Sequence, residues 1–498
     1  MDVVEAVQVA MMIDLQALSH ADGRENFTVD LDGPSPIMVE SVVRRVPDKR
    51  LVCKGVWNQQ KVYAKLFLGD NPEKYAMRDR IGVELLQQAG IATPVILYQG
   101  TLADRKGVAL IFAEIPDSAS IEHIWTTLKE SARFNLTRNL VQTVAKHHNA
   151  GLLQTDLYLK NFLIQGEKIY TLDGDGIRKF NVFPAAKALE NLCVLFSKLD
   201  VLELENWLPE LVKTYQAARG WQETADLDVI KTKANQHRRE VAAHYGDKKV
   251  FRTCTDVKLH TLRGLFYAVS RAYENSGLPT NAVELDTCFM PDAIIKNGHT
   301  CTLAAVGFKG KKIVIKRYNI KNVWHGISRA LRQTRAAASW ANAHRLKQLN
   351  IPTANPVALV EVRRLGLRGK AYFLTEYVDA PNLAEFFRHA SHNGHRMATI
   401  HNIVTLLYRL FLLQISHGDM KATNIKVADN QPILIDLDSM HQHRLQWRAL
   451  HAHVSDLRRF MRNWENEPTL YNAFVKAFQT VYKDQTPLEM AHFQNIKS

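Results

Sequence analysis

A pattern of aspartate and asparagine residues occurs twice in this chain of 498 residues, with identical spacing. Each copy has an aspartate, an asparagine five positions later, and an Asp-x-Asp pair that closes an apolar stretch. The two sets are Asp156, Asn161, Asp173 and Asp175, and Asp419, Asn424, Asp436 and Asp438. Because Asn and Asp each occupy about a twentieth of positions, three matches after a given Asp arise by chance about once in ten thousand. The chain is therefore predicted to contain a duplicated unit.

These residue types, in this order, provide the groups that phosphoryl transfer requires. One carboxylate lies near the acceptor hydroxyl, while an asparagine and a further carboxylate hold magnesium on the nucleotide phosphates. Lys65 and Lys316 each lie on an apolar strand, where a kinase places the lysine that contacts the α- and β-phosphates. In the first unit, the next helix carries Asp79 and Glu84. Either can pair with Lys65, and Glu84 is the one included in the predicted nucleotide site.

The second unit differs in its charges. Gly298 lies in a turn between two predicted strands and forms a minimal phosphate-covering loop. From residue 293 to residue 360 there is no Asp or Glu, so the acid expected on the helix after Lys316 is missing. Cations in this stretch include Lys309, Lys311, Lys312, Lys316, Arg317, Lys321, Arg329, Arg332 and Arg335. Such a stretch suits an anionic acceptor near a membrane, and it equally fits a solvated basic face.

The predicted fold is α+β, with two tandem protein-kinase-like domains. Hairpins precede each set of aspartates and amphipathic helices follow, so each domain is expected to have a small β-rich N-lobe and a helical C-lobe. Domain 1 is predicted at residues 1–235 and domain 2 at residues 236–498. The connection is placed in the polar stretch 219–250.

Composition restricts the partners and the compartment. The formal net charge of +14 favours a polyanionic partner, and a solvated basic surface explains it equally well. No recognisable motif for nucleic acid accompanies the charge, so nucleic-acid binding is not expected. Five scattered cysteines without a CxxC pair indicate a reduced, cytoplasmic compartment. No signal peptide and no membrane span are expected, so any membrane contact would be peripheral.

Several stretches resemble a known family. Residues 151–158 are similar to the catalytic loop of the heptose kinases, including its Asp-Leu-Tyr, and residues 315–319 and 328–353 are also similar to that family. The similar stretches span about residues 50–176 and 290–440. The chain thus resembles the lipopolysaccharide core kinases, which include heptose and Kdo kinases within the protein-kinase-like superfamily. The resemblance implies an ATP- and magnesium-dependent kinase that phosphorylates a sugar hydroxyl of the lipopolysaccharide inner core, a glycolipid acceptor.

The resemblance also implies a role for each matching residue. Asp156 and Asp419 would orient the acceptor hydroxyl and take its proton, and Lys421 would neutralise the transferred phosphoryl group. Lys65 and Lys316 would contact the phosphates. The expected magnesium ligands are Asn161 with Asp173, and Asn424 with Asp436; Asp175 and Asp438 are alternative or second ligands. Tyr158 occupies the place of Lys421 in the first unit and cannot supply its charge.

Each unit departs from the family pattern in a different way. The first has Gln154 where the second has His417, and Asn191 where the second has Asp456 as a candidate anchor of the catalytic loop. One active site beside one degenerate partner is therefore an open alternative. Two further readings remain: a phosphotransferase for a small molecule such as an aminoglycoside or choline, and a tandem pseudokinase that acts as a scaffold.

Overall fold

The computed structural model describes residues 14–20, 25–222, 225–262, 264–319, 333–364, 367–389 and 393–493. It divides into two compact units. Unit 1 comprises Met1–Leu199 and Glu203–Ala234, and unit 2 comprises Asp200–Leu202 and Asn235–Ser498. In each unit an antiparallel sheet is followed along the chain by a mainly helical region, as the predicted α+β fold requires. Three cations of the basic stretch, Lys321, Arg329 and Arg332, lie outside the described residues.

The N-lobe of unit 1 is a six-stranded antiparallel sheet in the order β1-β2-β3-β4-β6-β5. Its strands are β1 (Glu25–Val29), β2 (Ile37–Val46), β3 (Arg50–Trp57), β4 (Gln60–Phe67), β5 (Ile96–Thr101) and β6 (Val108–Ala113). A two-residue turn at Asn58 and Gln59 joins β3 to β4; both residues have positive φ, as the tightest hairpin turns require. This hairpin places Lys65 on β4, opposite Val52 of β3 and Leu110 of β6.

Helix α2 (Pro72–Gln88), which follows the short α1 (Leu15–Leu18), lies against both the sheet and the Asp-x-Asp segment of unit 1. The backbones approach closely at two glycines. A Cβ on Gly82 would lie 1.9 Å from the carbonyl oxygen of Gly174, and a Cβ on Gly174 would lie 2.1 Å from that of Asp79. Only glycine fits such an approach. The helix is therefore fixed directly over the carboxylates of the site.

The C-lobe of unit 1 is built mainly from helices. Its elements are β7 (Ala119–Ser120), α3 (Ile121–Trp125), α4 (Glu130–Asn149), β8 (Leu152–Gln154), β9 (Phe162–Gln165), β10 (Lys168–Thr171), β11 (Ile177–Lys179), α5 (Ala185–Phe196) and most of α6 (Val201–Arg219). Helix α7 (Leu227–Asp247) begins in unit 1 and continues into unit 2 from Asn235. Buried apolar residues of α4, α5 and α6, including Leu140, Leu192 and Leu211, form its core. The catalytic-loop residues lie between β8 and β9, and Asp173 and Asp175 follow β10.

The N-lobe of unit 2 is a seven-stranded antiparallel sheet in the order β12-β13-β17-β18-β16-β15-β14. Its strands are β12 (Val257–Leu262), β13 (Leu265–Ser270), β14 (Ile294–Asn297), β15 (Cys301–Phe308), β16 (Lys311–Tyr318), β17 (Pro356–Arg364) and β18 (Leu367–Glu376). Its helices are α8 (Ala282–Thr287) and α9 (Arg335–Gln348). Gly298 lies in the turn between β14 and β15, as predicted. Lys316 lies on β16, an inner strand between β18 and β15, opposite Phe373 and Leu303.

The C-lobe of unit 2 repeats the arrangement of unit 1. Its elements are α10 (Leu383–His389), α11 (Asn393–Leu412), β19 (Ile415–Ser416), β20 (Ile425–Ala428), β21 (Gln431–Leu434), β22 (His441–Gln442), α12 (Gln446–Met461), α13 (Pro468–Val481) and α14 (Thr486–Ala491). Aromatic side chains, among them Phe460, Trp464 and Phe474, pack between the helices. The loop from His417 to Asn424 connects β19, which pairs with β22, to β20, which forms a hairpin with β21, so paired strands hold both of its ends.

Candidate active site

In unit 2, Lys316 is bound by the Asp-x-Asp segment instead of by an acid on the neighbouring helix. Its ammonium group forms an ion pair with Asp436 and lies 3.2 Å from Asp438 Oδ2. Helix α9 contributes a cation: Arg335 Nη2 lies 2.5 Å from the same Asp438 oxygen. The acid that the sequence lacks between residues 293 and 360 is therefore replaced by Asp438, which holds both cations.

Asp436 and Asp438 differ in exposure. The side chain of Asp438 is only 4 % exposed, whereas that of Asp436 is 34 % exposed. Asp436 also has a left-handed backbone, with φ of 62°, which costs about 1 kcal/mol for a residue other than glycine and is typical of functional sites. Burial acts to raise the pKa of Asp436, but attraction by Lys316 outweighs it, so the pKa lies below its ordinary value. Asp436 is thus an ionised carboxylate at a partly open position.

The catalytic-loop aspartate of unit 2 has a cation on each side. Lys421 Nζ lies 2.9 Å from Asp419 Oδ2, and the guanidinium of Arg459, on helix α12, forms an ion pair with Oδ1. Asn424 donates from Nδ2 to the Asp419 backbone oxygen at 2.9 Å and to Oδ2 at 3.2 Å. The asparagine therefore fixes the loop and keeps its own amide oxygen as a ligand.

Two buried groups fix the start of this loop. Asp456 on α12 accepts hydrogen bonds from the backbone N–H groups of His417 at 2.6 Å and Gly418 at 3.0 Å. His417 Nε2 lies 3.0 Å from the carbonyl oxygen of Ile435. Burial lowers the pKa of His417, so the ring is neutral and donates to that carbonyl. The loop is thereby tied to the segment that carries Asp436.

A cleft of about 470 Å³ opens beside these groups within unit 2. Residues of both lobes line it, among them Lys296, Lys316, Phe373, Glu376, Tyr377, Val378, Asn424 and Asp436. The apolar wall from β15, β16 and β18 suits a purine ring, and Lys316, Asn424 and Asp436 lie on its polar side. Such a cleft, apolar with a few converging polar groups, has the size of a nucleotide site.

In unit 1, Lys65 pairs with a different residue from the one predicted. Its Nζ lies 2.5 Å from Asp79 Oδ2 and 3.8 Å from Asp173 Oδ1. Glu84 instead lies 3.6 Å from Arg80 on the outer face of α2, so its inclusion in the nucleotide site is wrong. Asp79 is fully buried and accepts a bond from Gly174 N, and burial raises its pKa despite the neighbouring Lys65.

The catalytic loop of unit 1 keeps the backbone geometry but not the charges. Asn161 Nδ2 donates to the Asp156 backbone oxygen at 2.8 Å, as Asn424 does to Asp419. Asn191 donates to the carbonyl of Gln154 at 2.9 Å, in the place of the Asp456 anchor. Tyr158 replaces Lys421. The side chain of Asp156 therefore lacks both the cations that contact Asp419.

The Asp-x-Asp segment of unit 1 shares one feature with that of unit 2. Arg78 of helix α2 lies 2.8 Å from Asp175 Oδ1, as Arg335 of α9 does from Asp438. Asp173 has an extended backbone, with φ of −108°, in contrast to the left-handed Asp436. The helix arginine thus recurs, while the conformation of the first aspartate differs.

Comparison with known protein families identifies the second unit. Residues 294–482 match the model of the lipopolysaccharide kinase (Kdo/WaaP) family. This match contains all of the site residues described in unit 2, so the segment is similar to lipopolysaccharide kinases, and the chain is a phosphotransferase of the kinase class. A match to a kinase family implies the use of ATP and of a sugar or glycolipid acceptor.

Other comparisons add little to this assignment. The chain is similar to the structure of vaccinia related kinase 3, with a TM-score of 0.29 and 9 % identity over 45 % of this chain and 94 % of that chain. A search of curated proteins found no match. Among the residues that the structure describes, no helix combines the length and apolar character needed to cross a bilayer.

The sequence-based prediction did not assign three arginines to these sites: Arg78, Arg335 and Arg459. Arg335 and Arg78 act across elements that are distant in sequence, and only the fold shows their partners. Arg459 is different, because it lies three residues after the candidate anchor Asp456 on one helix. Residues at this spacing lie on the same face of a helix. The prediction that Asp456 anchors the catalytic loop could therefore have included Arg459.

The site in unit 2 has oxygen ligands that fit magnesium. Within the described residues, no three His, Cys, Asp or Glu side chains form a metal cluster. Magnesium does not need one, since it binds to one or two protein oxygens together with substrate phosphates and water. Asp436 is ionised and partly exposed, and Asn424 has its amide nitrogen engaged, so their oxygens fit this role.

Asp456 should make the stability of the kinase domain depend on pH. Burial raises its pKa to about 6, although bonds from two backbone N–H groups oppose this. The unfolded pKa is about 4. The folded state therefore holds the proton more tightly, and this favourable contribution is lost as the pH rises from about 4 to 6. Two pKa units correspond to about 3 kcal/mol in the free energy of unfolding.

The measurement is denaturant unfolding between pH 4 and pH 8 for the wild type and Asp456→Asn. We subtract the unfolding free energy of the variant from that of the wild type. This difference should fall by about 3 kcal/mol between pH 4 and pH 6 and then stay constant. Asp429→Asn, on the exposed turn between β20 and β21, is the control and should run parallel to the wild type. A difference that stays constant with pH would contradict the role of Asp456.

Proposed function

We propose that the chain transfers the γ-phosphoryl group of ATP to a hydroxyl of heptose or Kdo in the lipopolysaccharide inner core, with magnesium. The observation that supports this most strongly is the convergence of Lys316, Asn424 and Asp436 on one cleft, next to Asp419. The family match covers these same residues.

Each residue of unit 2 has a role in this proposal. Asp419 orients the acceptor hydroxyl and accepts its proton as the acceptor oxygen bonds to the γ-phosphorus. The bond to the bridging oxygen breaks and ADP leaves with the electron pair. Because such transition states are loose, positioning contributes more than basicity. Lys421 neutralises charge on the transferred group, and Lys316 and the Gly298 turn position the phosphates.

Magnesium bound by Asn424 and Asp436 would neutralise the phosphate charge. We assign the metal position to Asp436 because Asp438 is buried and already holds Lys316 and Arg335. Asp438 then orients Lys316, as an acid on the helix does in other kinases. This division leaves each of the two carboxylates with one task.

We also propose that unit 1 binds nucleotide and contributes little to turnover. Lys65 with Asp79, and Asn161 with Asp173 and Asp175, retain the groups that face a nucleotide. In unit 1, however, the neutral Tyr158 and Val194 take the positions of Lys421 and Arg459, the two cations that contact Asp419. A developing negative charge would therefore meet less stabilisation in unit 1 than in unit 2. The proposed domains remain residues 1–235 and 236–498.

The proposed place of action is the cytoplasmic face of the inner membrane. ATP is available there, and the acceptor is a lipid-anchored saccharide. The net charge of +14 would favour peripheral contact with an anionic membrane surface. Part of the basic stretch is already neutralised, since Lys311 pairs with Glu376 and Arg317 with Asp286.

The test is phosphoryl transfer by the purified full chain. Radiolabelled ATP and magnesium are supplied with deacylated, dephosphorylated core oligosaccharide, and in parallel with an aminoglycoside or choline. We expect label on the oligosaccharide and a new phosphomonoester resonance in its phosphorus NMR spectrum. Transfer only to the small molecules would replace the proposal by the small-molecule phosphotransferase, and absence of any transfer would favour the scaffold.

A further inference from the structure

Arg459 contacts the catalytic aspartate from a position that is partly open to solvent. Its guanidinium forms an ion pair with Asp419 Oδ1, yet that oxygen receives no directed hydrogen bond. The Arg459 side chain is 44 % exposed. We propose that Arg459 binds an anionic group on the acceptor sugar, a carboxylate or a phosphate, beside the hydroxyl that Asp419 orients. This inference rests on the proposed function.

The chemistry of the guanidinium favours this role. An arginine carries five N–H donors in a planar fork that fits a carboxylate or phosphate through two parallel hydrogen bonds. In this structure the ion pair with Asp419 occupies one edge of the guanidinium, and Asp419 Oδ1 accepts no hydrogen bond from the described part of the chain. Lys421 already neutralises the other oxygen of Asp419 at 2.9 Å. Arg459 therefore has further N–H donors beside Asp419, and an anionic group on the acceptor can bind to them.

Unit 1 shows that the arginine is not required by the fold. Asn191 occupies the position of Asp456 there and also fixes the catalytic loop. Three residues later, where unit 2 has Arg459, unit 1 has Val194. The loop of unit 1 keeps its Asn161 hydrogen bond without any arginine at that place. Arg459 therefore serves a need particular to unit 2, which fits recognition of an acceptor better than support of the loop.

The position of Arg459 also restricts the acceptor. Because the guanidinium touches Asp419, an anion bound to it must lie on the same sugar as the reacting hydroxyl or on the adjoining one. A neutral sugar would leave Arg459 paired with Asp419. An acidic sugar would draw the guanidinium away and leave Oδ1 able to accept the hydroxyl proton. The acceptor class is thus a saccharide with a carboxylate or phosphate next to the reacting hydroxyl.

The experiment measures kcat and KM of the full chain for three forms of deacylated core oligosaccharide, with Arg459→Ala, Arg459→Lys and the wild type. One form is dephosphorylated and carries carboxylates alone, the second has its carboxylates methyl-esterified and keeps its phosphates, and the third lacks both anions. Arg458→Ala is the matched control, since Arg458 donates to the Met490 carbonyl on another side of α12.

We expect Arg459→Ala to raise KM about ten- to hundredfold for the form whose anion is recognised, the loss typical of a charge-assisted hydrogen bond. KM for the form without anions should be unchanged by the substitution, and Arg459→Lys should recover part of the affinity. The affected form identifies the anion as carboxylate or phosphate. Arg458→Ala should match the wild type with all three.

Two other outcomes have separate meanings. An equal change in kcat for all three forms, with unchanged KM, would overturn the proposal and make Arg459 a residue that positions Asp419. If the wild-type chain phosphorylates none of the forms, the proposed lipopolysaccharide acceptor itself is wrong. Failure of the inference and failure of the function are therefore distinguishable in one set of assays.

Discussion

Replacing Asp419 by alanine should lower kcat by about 10²–10⁴, whereas Asp156→Ala should leave kcat within about threefold of the wild type. The first range is that of a positioned group which takes a proton in the transition state. Both aspartates follow the same loop pattern, with an asparagine donating to the backbone oxygen. Asp419 lies between Lys421 and Arg459, whereas unit 1 has Tyr158 and Val194 at the matching positions. The pair of variants therefore measures what those cations and the cleft contribute.

The comparison is clean because the two substitutions remove the same atoms from equivalent loops. Asp419 makes half-exposed ion pairs, and such pairs contribute about 0–1 kcal/mol to stability. Asp419→Ala should therefore fold normally, which thermal unfolding can check. Asp419→Asn provides a second test, since it retains the shape of the side chain but cannot take the proton. It should lose less kcat than Asp419→Ala, because positioning of the acceptor hydroxyl contributes more than basicity in a loose transition state.

The measurement is steady-state phosphoryl transfer to core oligosaccharide with saturating ATP. Loss of activity in Asp156→Ala, with Asp419→Ala near normal, would move the reaction to unit 1. Comparable partial losses in both variants would mean that each unit turns over. Either result would overturn the proposal that unit 1 binds nucleotide with little turnover.

The spacing of the aspartates predicted much of the site because it reflects short, rigid segments. The loop that carries Asp419 and Asn424 lies between the paired strand β19 and the β20–β21 hairpin, and Asp436 follows β21. Because the hairpin turns the chain back on itself, Asp436 returns to the side of the loop. Lys316 is remote in sequence, but the apolar strand around it identified β16, the strand from which a kinase lysine reaches the phosphates.

The incorrect choice of Glu84 has a simple helical explanation. Ala76, Val83 and Leu86 form the buried face of α2, and Asp79 falls on that face by its spacing. Glu84 lies on the other side, next to Arg80. The apolar periodicity therefore contained the information that would have selected Asp79. Burial of an ionised carboxylate is costly without a partner, and Lys65 supplies that partner.

Other features could not be predicted from the sequence. Strand β2 is not evident from the sequence, because register shifts between Val39 and Ser41 and between Val42 and Arg44 interrupt its alternation. The pairing of Arg335 with Asp438 depends on two segments that are about a hundred residues apart. Such tertiary pairs follow from the packing of the lobes, which local patterns do not specify.

Asp436→Asn should lower kcat about a thousandfold, and Asp438→Asn only about tenfold. Asp436 is the partly exposed carboxylate that lines the cleft, so its loss removes a negative ligand from the metal on the transferring phosphates. Asp438 contacts Lys316 and Arg335 and does not line the cleft. Its loss should misplace a phosphate-binding lysine, an effect typical of a residue that orients another ligand.

Titration with magnesium separates the two roles. Asp436→Asn should need a higher magnesium concentration for half-maximal activity, because one carboxylate ligand is missing. Asp438→Asn should keep the wild-type magnesium dependence and raise KM for ATP, since Lys316 loses one of its two acidic partners. Arg335→Met gives an independent check of this second role and should also raise KM for ATP without altering the metal requirement.

The opposite pattern is equally informative. If Asp438→Asn changes the magnesium requirement and Asp436→Asn changes only KM for ATP, the two carboxylates have exchanged tasks. Lys316 would then depend on Asp436 as its orienting acid, and the left-handed backbone of Asp436 would serve that contact instead of the metal. Because both carboxylates contact the same lysine, only a measurement that varies the metal and the nucleotide separately can assign the roles.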